Sequence, residues 1–282
     1  MRPYRTIKIA KEDLVGYRGD GVLKRIISAI IGLPFLLAII IVGKTPLFIA
    51  LLVISLIALW EFYNACKDKF APMETVGYVG SIVILILANF TFQPSYVSML
   101  FFILIVVLNI VKLTHNNKYS FVDISITLYS LAYIPFLLSY ILLIPKQPNN
   151  IVIWLVFITA WGTDTSAYFS GYFFGRKKLC PFISPKKTIE GAIGGVLGSM
   201  VISLIFGYFF LQKHLYAIML IGVLGSMAAQ IGDLSASLVK RHIGIKDFGN
   251  IMPGHGGVLD RFDSILFTAP IVYYILIFMI NK

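Results

Sequence analysis

The chain has 282 residues, of which 58% are hydrophobic and 13% charged, and 24 Lys and Arg outnumber 13 Asp and Glu. Water-soluble domains carry about 25% charge, so a soluble globular protein is excluded. Apolar runs of about 20 residues, the length that crosses hydrocarbon, recur along the chain without strand-like alternation, which points to an all-α polytopic membrane bundle and away from a β-barrel.

Residues 1–23 are polar and mixed in charge and read as an extension ahead of a membrane domain over 24–282. Lys24 and Arg25 followed by the apolar run 26–42 imitate a signal peptide, but no small-residue cleavage site follows, so the run is expected to be a retained helix. Further spans are expected at 47–64, 77–90, 96–113, 123–144, 151–174, 190–211, 215–238 and 262–280, about nine in all, the third being short. With the N-terminus inside, 20 of the 24 Lys and Arg fall in inside segments, and only Lys44, Lys146, Lys213 and Lys282 fall outside. That asymmetry places the C-terminus outside and turns the polar loops 175–189 and 239–261 towards the cytoplasm, as in a multi-pass protein of the cell membrane. The formal charge of +11 then reads as topology rather than affinity for nucleic acid. Cys66 and Cys180 fall on the inside, so no disulfide is expected.

The first half reads as scaffold. Glu61 follows Trp60 at the inner end of its span and reads as an interfacial, snorkelling acid, and Asp123 at a helix start reads as a partner of the helix dipole. Chemistry-bearing residues concentrate at 151–264. Asp164, in Trp161-Gly162-Thr163-Asp164-Thr165-Ser166, sits among hydroxyls in an apolar run, either lining a polar cavity or fixing helix packing through a hydrogen bond.

In Ser184-Pro185-Lys186-Lys187-Thr188-Ile189-Glu190, Ser184 suits an N-cap and Pro185 the first helical position, which puts Lys186 and Lys187 in the first turn of the next helix. Cations are unfavourable there unless an anion is present, so either a phosphate binds, or the lysines are a positive-inside anchor with Lys186 paired to Glu190. Downstream, Asp233, Ser237, Lys240 and Arg241 share one helical face, acid deep and base shallow. The following loop contains Lys246, Asp247 and Pro253-Gly254-His255-Gly256-Gly257, then Asp260-Arg261-Phe262-Asp263. Glycine N–H groups can surround an anion, while the acids suit a hard cation such as magnesium. Zinc is disfavoured because the four histidines are scattered and no Cys-x-x-Cys pair exists.

The stretch from Ser237 to Asp263, with Lys240-Arg241, Lys246-Asp247, Pro253 to Gly257 and Asp260-Arg261-Phe262-Asp263, closely resembles the signature of phosphatidate cytidylyltransferases, or CDP-diacylglycerol synthases. Ser184 to Thr188 and the segment around Asp164 look like further motifs of that family. The resemblance covers about 24–282. Met252 departs from it slightly, standing where Leu, Ile or Phe is usual.

The resemblance implies that CTP and phosphatidate give CDP-diacylglycerol and pyrophosphate with Mg2+, and that a monovalent cation such as K+ accompanies the magnesium. By the same analogy, Asp233 and Asp260 bind the metal, with Asp164 and Asp263 as further candidates. Lys240 and Arg241 would act on the reacting phosphates. Ser184, Lys186, Lys187, Thr188, Ser237, Lys246, His255, Gly256, Gly257 and Arg261 would hold substrate. A transporter using Asp164 and Asp233 as cation sites leaves the glycine-histidine loop unexplained, and the spaced multi-aspartate motif of CDP-alcohol phosphotransferases is not found. Small-residue helix faces permit a homodimer.

Overall fold

The computed structural model describes residues 34, 36–91, 93–115, 118–147, 150–252 and 256–281. The extension 1–23 and the pair Lys24-Arg25 lie outside these residues. Seven helices among the described residues are long and apolar enough to cross a membrane, and the protein is a multi-pass helical membrane protein.

Helical turns at 36–42 lead into α1 (Lys44–Cys66), α2 (Glu74–Phe90), α3 (Pro94–Thr114), α4 (Phe121–Leu131) and α5 (Leu137–Leu143). The second half holds α6 (Ile153–Phe174), a hairpin of β1 (Lys178–Cys180) and β2 (Ser184–Thr188), α7 (Ile189–Phe210), α8 (Leu215–Ile243) and α9 (Leu259–Ile275). From residue 47 on these helices follow the expected spans closely, with Glu74–Phe90 the short span at 17 residues, whereas most of the span expected at 26–42 lies outside the described residues. The span expected at 123–144 is one rod broken by a π-turn at Ala132–Phe136. Pro135 lies inside it and has no N–H to donate, and the wider turn accommodates the interruption.

In the first half several buried polar groups are matched in pairs. Asp123 does sit at a helix start: its Oδ2 accepts from the N–H and hydroxyl of Ser120 at 2.6 and 2.7 Å, closing a capping box. Its Oδ1 accepts from the Ala71 N–H at 2.7 Å, tying the α1–α2 loop to α4. The Tyr63 and Ser130 hydroxyls meet at 2.7 Å between α1 and α4. Buried apolar side chains from both halves, among them Leu59, Ile141, Leu155 and Leu266, form one continuous core.

The closest packing joins α6, α7, α8 and α9. On α7 the approach to α6 depends on missing side chains: a Cβ at Gly194 would lie 2.0 Å from the Ser170 Oγ, and one at Gly198 would lie 2.1 Å from the Ser166 Oγ. Helices in lipid associate through such close backbone contact. Where α8 crosses α9, a Cβ at Gly232 would lie 2.4 Å from the Asp263 carbonyl oxygen. That crossing sets Asp233, the next residue, against the α9 segment that bears Asp263.

The segment 184–188 is not the start of a helix. Ser184–Thr188 is strand β2, antiparallel to β1 with Lys178 opposite Thr188 and Cys180 opposite Ser184. The N-cap is Thr188, whose Oγ1 accepts from the Gly191 N–H at 3.1 Å. The fixed φ of Pro185 suits an extended segment as well as a first helical turn, and the hydroxyl of Thr188, three residues on, supplies the cap. The acid Glu190 occupies the first turn of α7, where the dipole favours it. Its carboxylate accepts from the backbone N–H groups of Arg176 at 3.0 Å and Lys177 at 3.2 Å, not from Lys186. Cys66 and Cys180 are both free thiols.

Candidate active site

The hairpin, α6, α7 and α8 enclose a cavity of about 560 Å³. Lys178, Lys186, Lys187 and Thr188 line it from the hairpin, Asp164 from α6, and Gln230 and Asp233 from α8. The ammonium of Lys187 pairs with the Asp233 carboxylate, each side chain keeping between a quarter and a third of its surface exposed. Asp164 feels the charges of Asp233, Lys187 and Arg261. Lys186 and Lys187 thus share one cavity with the acids of α6 and α8, carried there by a strand and not by the expected helix N-terminus. Thr188, buried, is spent on the α7 cap. Ser184 begins β2 and is partly buried.

A second cluster lies behind the first. Asp260, in the first turn of α9, is buried and holds the Lys240 ammonium on Oδ1 at 2.6 Å. Its Oδ2 accepts from the backbone N–H groups of Phe248 at 2.8 Å and Gly257 at 2.9 Å. Lys240 also lies over the Phe248 ring, 5.4 Å from its centroid. Asp260 thus staples three pieces together: α8, the loop after it, and the start of α9. Asp263, one turn on and buried, accepts on Oδ1 from the Ser264 N–H at 2.7 Å and feels Asp233, Lys240 and Asp164.

The shared helical face proposed for Asp233, Ser237, Lys240 and Arg241 divides in the fold. Lys240 turns inward to Asp260, whereas the exposed Arg241 donates to the carbonyls of Ile183 at 3.3 Å and Ile245 at 3.0 Å, clasping the hairpin tip to the end of α8. Ser237 is partly buried, and Lys246 and Arg261 are exposed. Gly256 adopts φ +82°, a conformation that favours glycine, and a Cβ there would lie 3.1 Å from Asp260 Oδ2. His255, with Pro253 and Gly254, lies outside the described residues.

Glu61 is not a snorkelling acid. It is fully buried, and its two carboxylate oxygens accept from the backbone N–H groups of Val258 and Leu259, each at 2.9 Å. The reason is local to α9, whose N-cap position is Val258, a residue with no side-chain oxygen. Its first N–H groups need an acceptor from elsewhere, and α1 supplies it. A Cβ at Gly249 or Gly257 would lie 2.4 or 2.5 Å from the same carboxylate, so the loop closes directly around Glu61. The missing cap is the one signal in the sequence that could have exposed this partner. Lys178 and Gln230 were also missed, since neither belongs to a motif.

No three acidic, His or Cys side chains among the described residues form a ready-made metal cage. Magnesium seldom uses one: it is held by one or two carboxylates, waters and substrate phosphates. Carboxylate oxygens are the hard donors that magnesium takes, and on Asp233 and Asp260 a metal would share them with the ammonium groups of Lys187 and Lys240. Asp260 has about four lone-pair sites, three of them engaged.

The sequence model of the cytidylyltransferase family matches residues 23–279. A relative from Staphylococcus haemolyticus strain JCSC1435, named phosphatidate cytidylyltransferase, is 34% identical over 260 residues, covering 90% of this chain and 99% of the relative. One of the same name from Staphylococcus aureus strain COL is 36% identical over 257 residues, covering 90% and 98%.

Proposed function

We propose, from the premise that the chain belongs to the cytidylyltransferase family, that it transfers the cytidylyl group of CTP to phosphatidate, releasing pyrophosphate and forming CDP-diacylglycerol for phospholipid synthesis. The observation that carries this reading is the cavity in which three lysines of the hairpin meet Asp164 and Asp233 beside apolar helices. Such a pocket offers cations to phosphates and leaves acyl chains in lipid.

In the reaction a phosphate oxygen of phosphatidate attacks the α-phosphorus of CTP as the bond to pyrophosphate breaks. The attacking group needs little help from a base, because the second pKa of a phosphate monoester is near about 6. Positioning and charge neutralisation are what remain for the protein to supply. Lys178, Lys186 and Lys187 bind phosphate oxygens, with Arg261 bringing a further cation from α9. Lys240 acts by holding Asp260, and Arg241 by holding the hairpin that carries the lysines. Thr188 lines the same cavity, and Ser184, Ser237, Lys246, His255, Gly256 and Gly257 complete the substrate-binding set carried by the motif resemblance. Asp233 and Asp260, with Asp164 and Asp263 as further candidates, would hold magnesium, which would neutralise charge on the phosphates, and the family resemblance adds a monovalent cation such as potassium.

The basic loops support a site on the cytoplasmic side of the cell membrane, and small-residue faces suit a homodimer. Purified protein incubated with labelled CTP, phosphatidate and magnesium is expected to yield CDP-diacylglycerol and pyrophosphate. Failure to form the lipid product with active control enzyme alongside would overturn the assignment.

A further inference from the structure

Tyr133 belongs to the half of the chain that looked like scaffold. It lies in the π-turn Ala132–Phe136, a distortion found inside α-helices frequently at functional sites. Its ring stacks on Tyr129 at 5.3 Å and meets Phe267 at 6.0 Å and 61°, so it is gripped from two sides. The residue is 3% exposed. Its hydroxyl is the one buried side-chain nitrogen or oxygen among the described residues that has no hydrogen-bond partner. Phenylalanine would fill the same space without that penalty, because a hydroxyl removed from water and left unpaired is unfavourable.

The acids that act electrostatically on the hydroxyl are those of the candidate site, Asp263 most strongly, then Asp233 and Asp260. Phe267, against which the ring packs, stands one turn beyond Asp263 on α9. An acidic cluster and an orphaned buried hydroxyl therefore lie within electrostatic reach of one another across the junction of the two halves. A magnesium ion keeps several of its waters when bound, and groups hydrogen-bonded to a metal's ligands set its position and affinity.

We infer that the Tyr133 hydroxyl is a positioning group of the cation site, hydrogen-bonding to a water carried by the divalent cation that Asp233, Asp260 and Asp263 attract. It touches neither CTP nor phosphatidate. The inference rests on the cation-dependent reading of the site given above. It also accounts for a tyrosine at a position where the fold itself uses only the ring.

The test is Tyr133→Phe, read by two measurements on the detergent-purified full chain without substrates. Binding of Mn2+ alone, followed by the electron paramagnetic resonance of the free ion, is expected to weaken about 10-fold, the lower end of what loss of an outer-shell partner costs. The thermal melting midpoint is expected to stay the same or rise, because no bond within the fold is lost. Unchanged Mn2+ affinity overturns the inference, and so does weaker binding accompanied by a lower midpoint, which would mean that the hydroxyl supports the fold. If the unsubstituted protein binds no Mn2+, the cation site itself fails. If it binds and Tyr133→Phe binds equally well, only the part given to Tyr133 fails.

Discussion

Replacing Glu61 with Gln changes one atom of a buried side chain far from the motifs in sequence, and it should nonetheless disable the site. The carboxylate accepts two N–H groups at 2.9 Å and stands at the N-terminus of α9. Hydrogen bonds to a charged acceptor contribute about 1.5 to 3 kcal/mol each. An amide can keep one of the two, but its NH2 then faces the other N–H. The loss of one charged bond and of the dipole interaction amounts to about 2 to 3 kcal/mol, or about 30- to 150-fold in the local opening of the α9 start. Gly257 belongs to the same turn, and its N–H is one of three groups that fix Asp260. The expected result is a fall in kcat of about 10- to 100-fold, the scale of a small misplacement of reacting groups. Faster hydrogen exchange at the Val258 and Leu259 amides should accompany it, measured by mass spectrometry in detergent. A Glu61→Gln protein with kcat within about twofold of the unsubstituted chain and unchanged exchange at those amides would refute this reasoning.

Asp260→Asn should abolish turnover while the protein still inserts and extracts normally, since the amide cannot satisfy Lys240, Phe248 and Gly257 together; near-normal synthesis of CDP-diacylglycerol would count against it. Gly232→Ala places a methyl group 2.4 Å from the Asp263 carbonyl oxygen, so α8 must move away from α9. Both the melting midpoint and kcat should drop, and a variant equal to the unsubstituted chain in both would show the crossing to be looser than described. Lys187→Ala removes a phosphate-facing cation from the cavity and is expected to raise the KM for CTP about 10-fold, the scale of about 1.4 kcal/mol; steady-state kinetics with varied CTP decides it.

Where the structure could be read from the sequence, the reason is that the signal is additive along the chain. A span is about 20 apolar residues wherever it sits, and α1, α3, α6, α7, α8 and α9 declare themselves in this way. The basic loops and the acids of α6, α8 and α9 stand out because they are costly in such surroundings. The remainder depended on choices between conformations that one segment permits equally. Pro185 fits both a helix start and a strand, and only the pairing with Lys178–Cys180 decides for the strand. Glu61 sits at a span end, where an acid reaches water at little cost, and only the loop closing over it from nearly 200 residues away buries it. The break in the α4–α5 rod was foreshadowed by Pro135, yet prolines in membrane helices are common enough that the residue alone did not show a π-turn.

Two lysines that look alike in the sequence are given opposite tasks by their burial. Lys187 and Asp233 keep 29% and 26% of their side-chain surface exposed, whereas Lys240 and Asp260 keep 10% and 3%. A fully exposed ion pair contributes about 0 to 1 kcal/mol, and the part-buried Lys187–Asp233 pair lies between that and a buried one. Breaking a buried one by removing a partner costs about 3 to 5 kcal/mol. The Lys187–Asp233 pair is therefore the looser of the two, whereas Lys240 cannot leave Asp260 without stranding a charge under the loop, so it holds the loop and α9 in register. Arg241, next to Lys240 in the chain, turns away to the carbonyl of Ile183, so the hairpin that carries the looser lysine is itself tied to the helix that carries the fixed one.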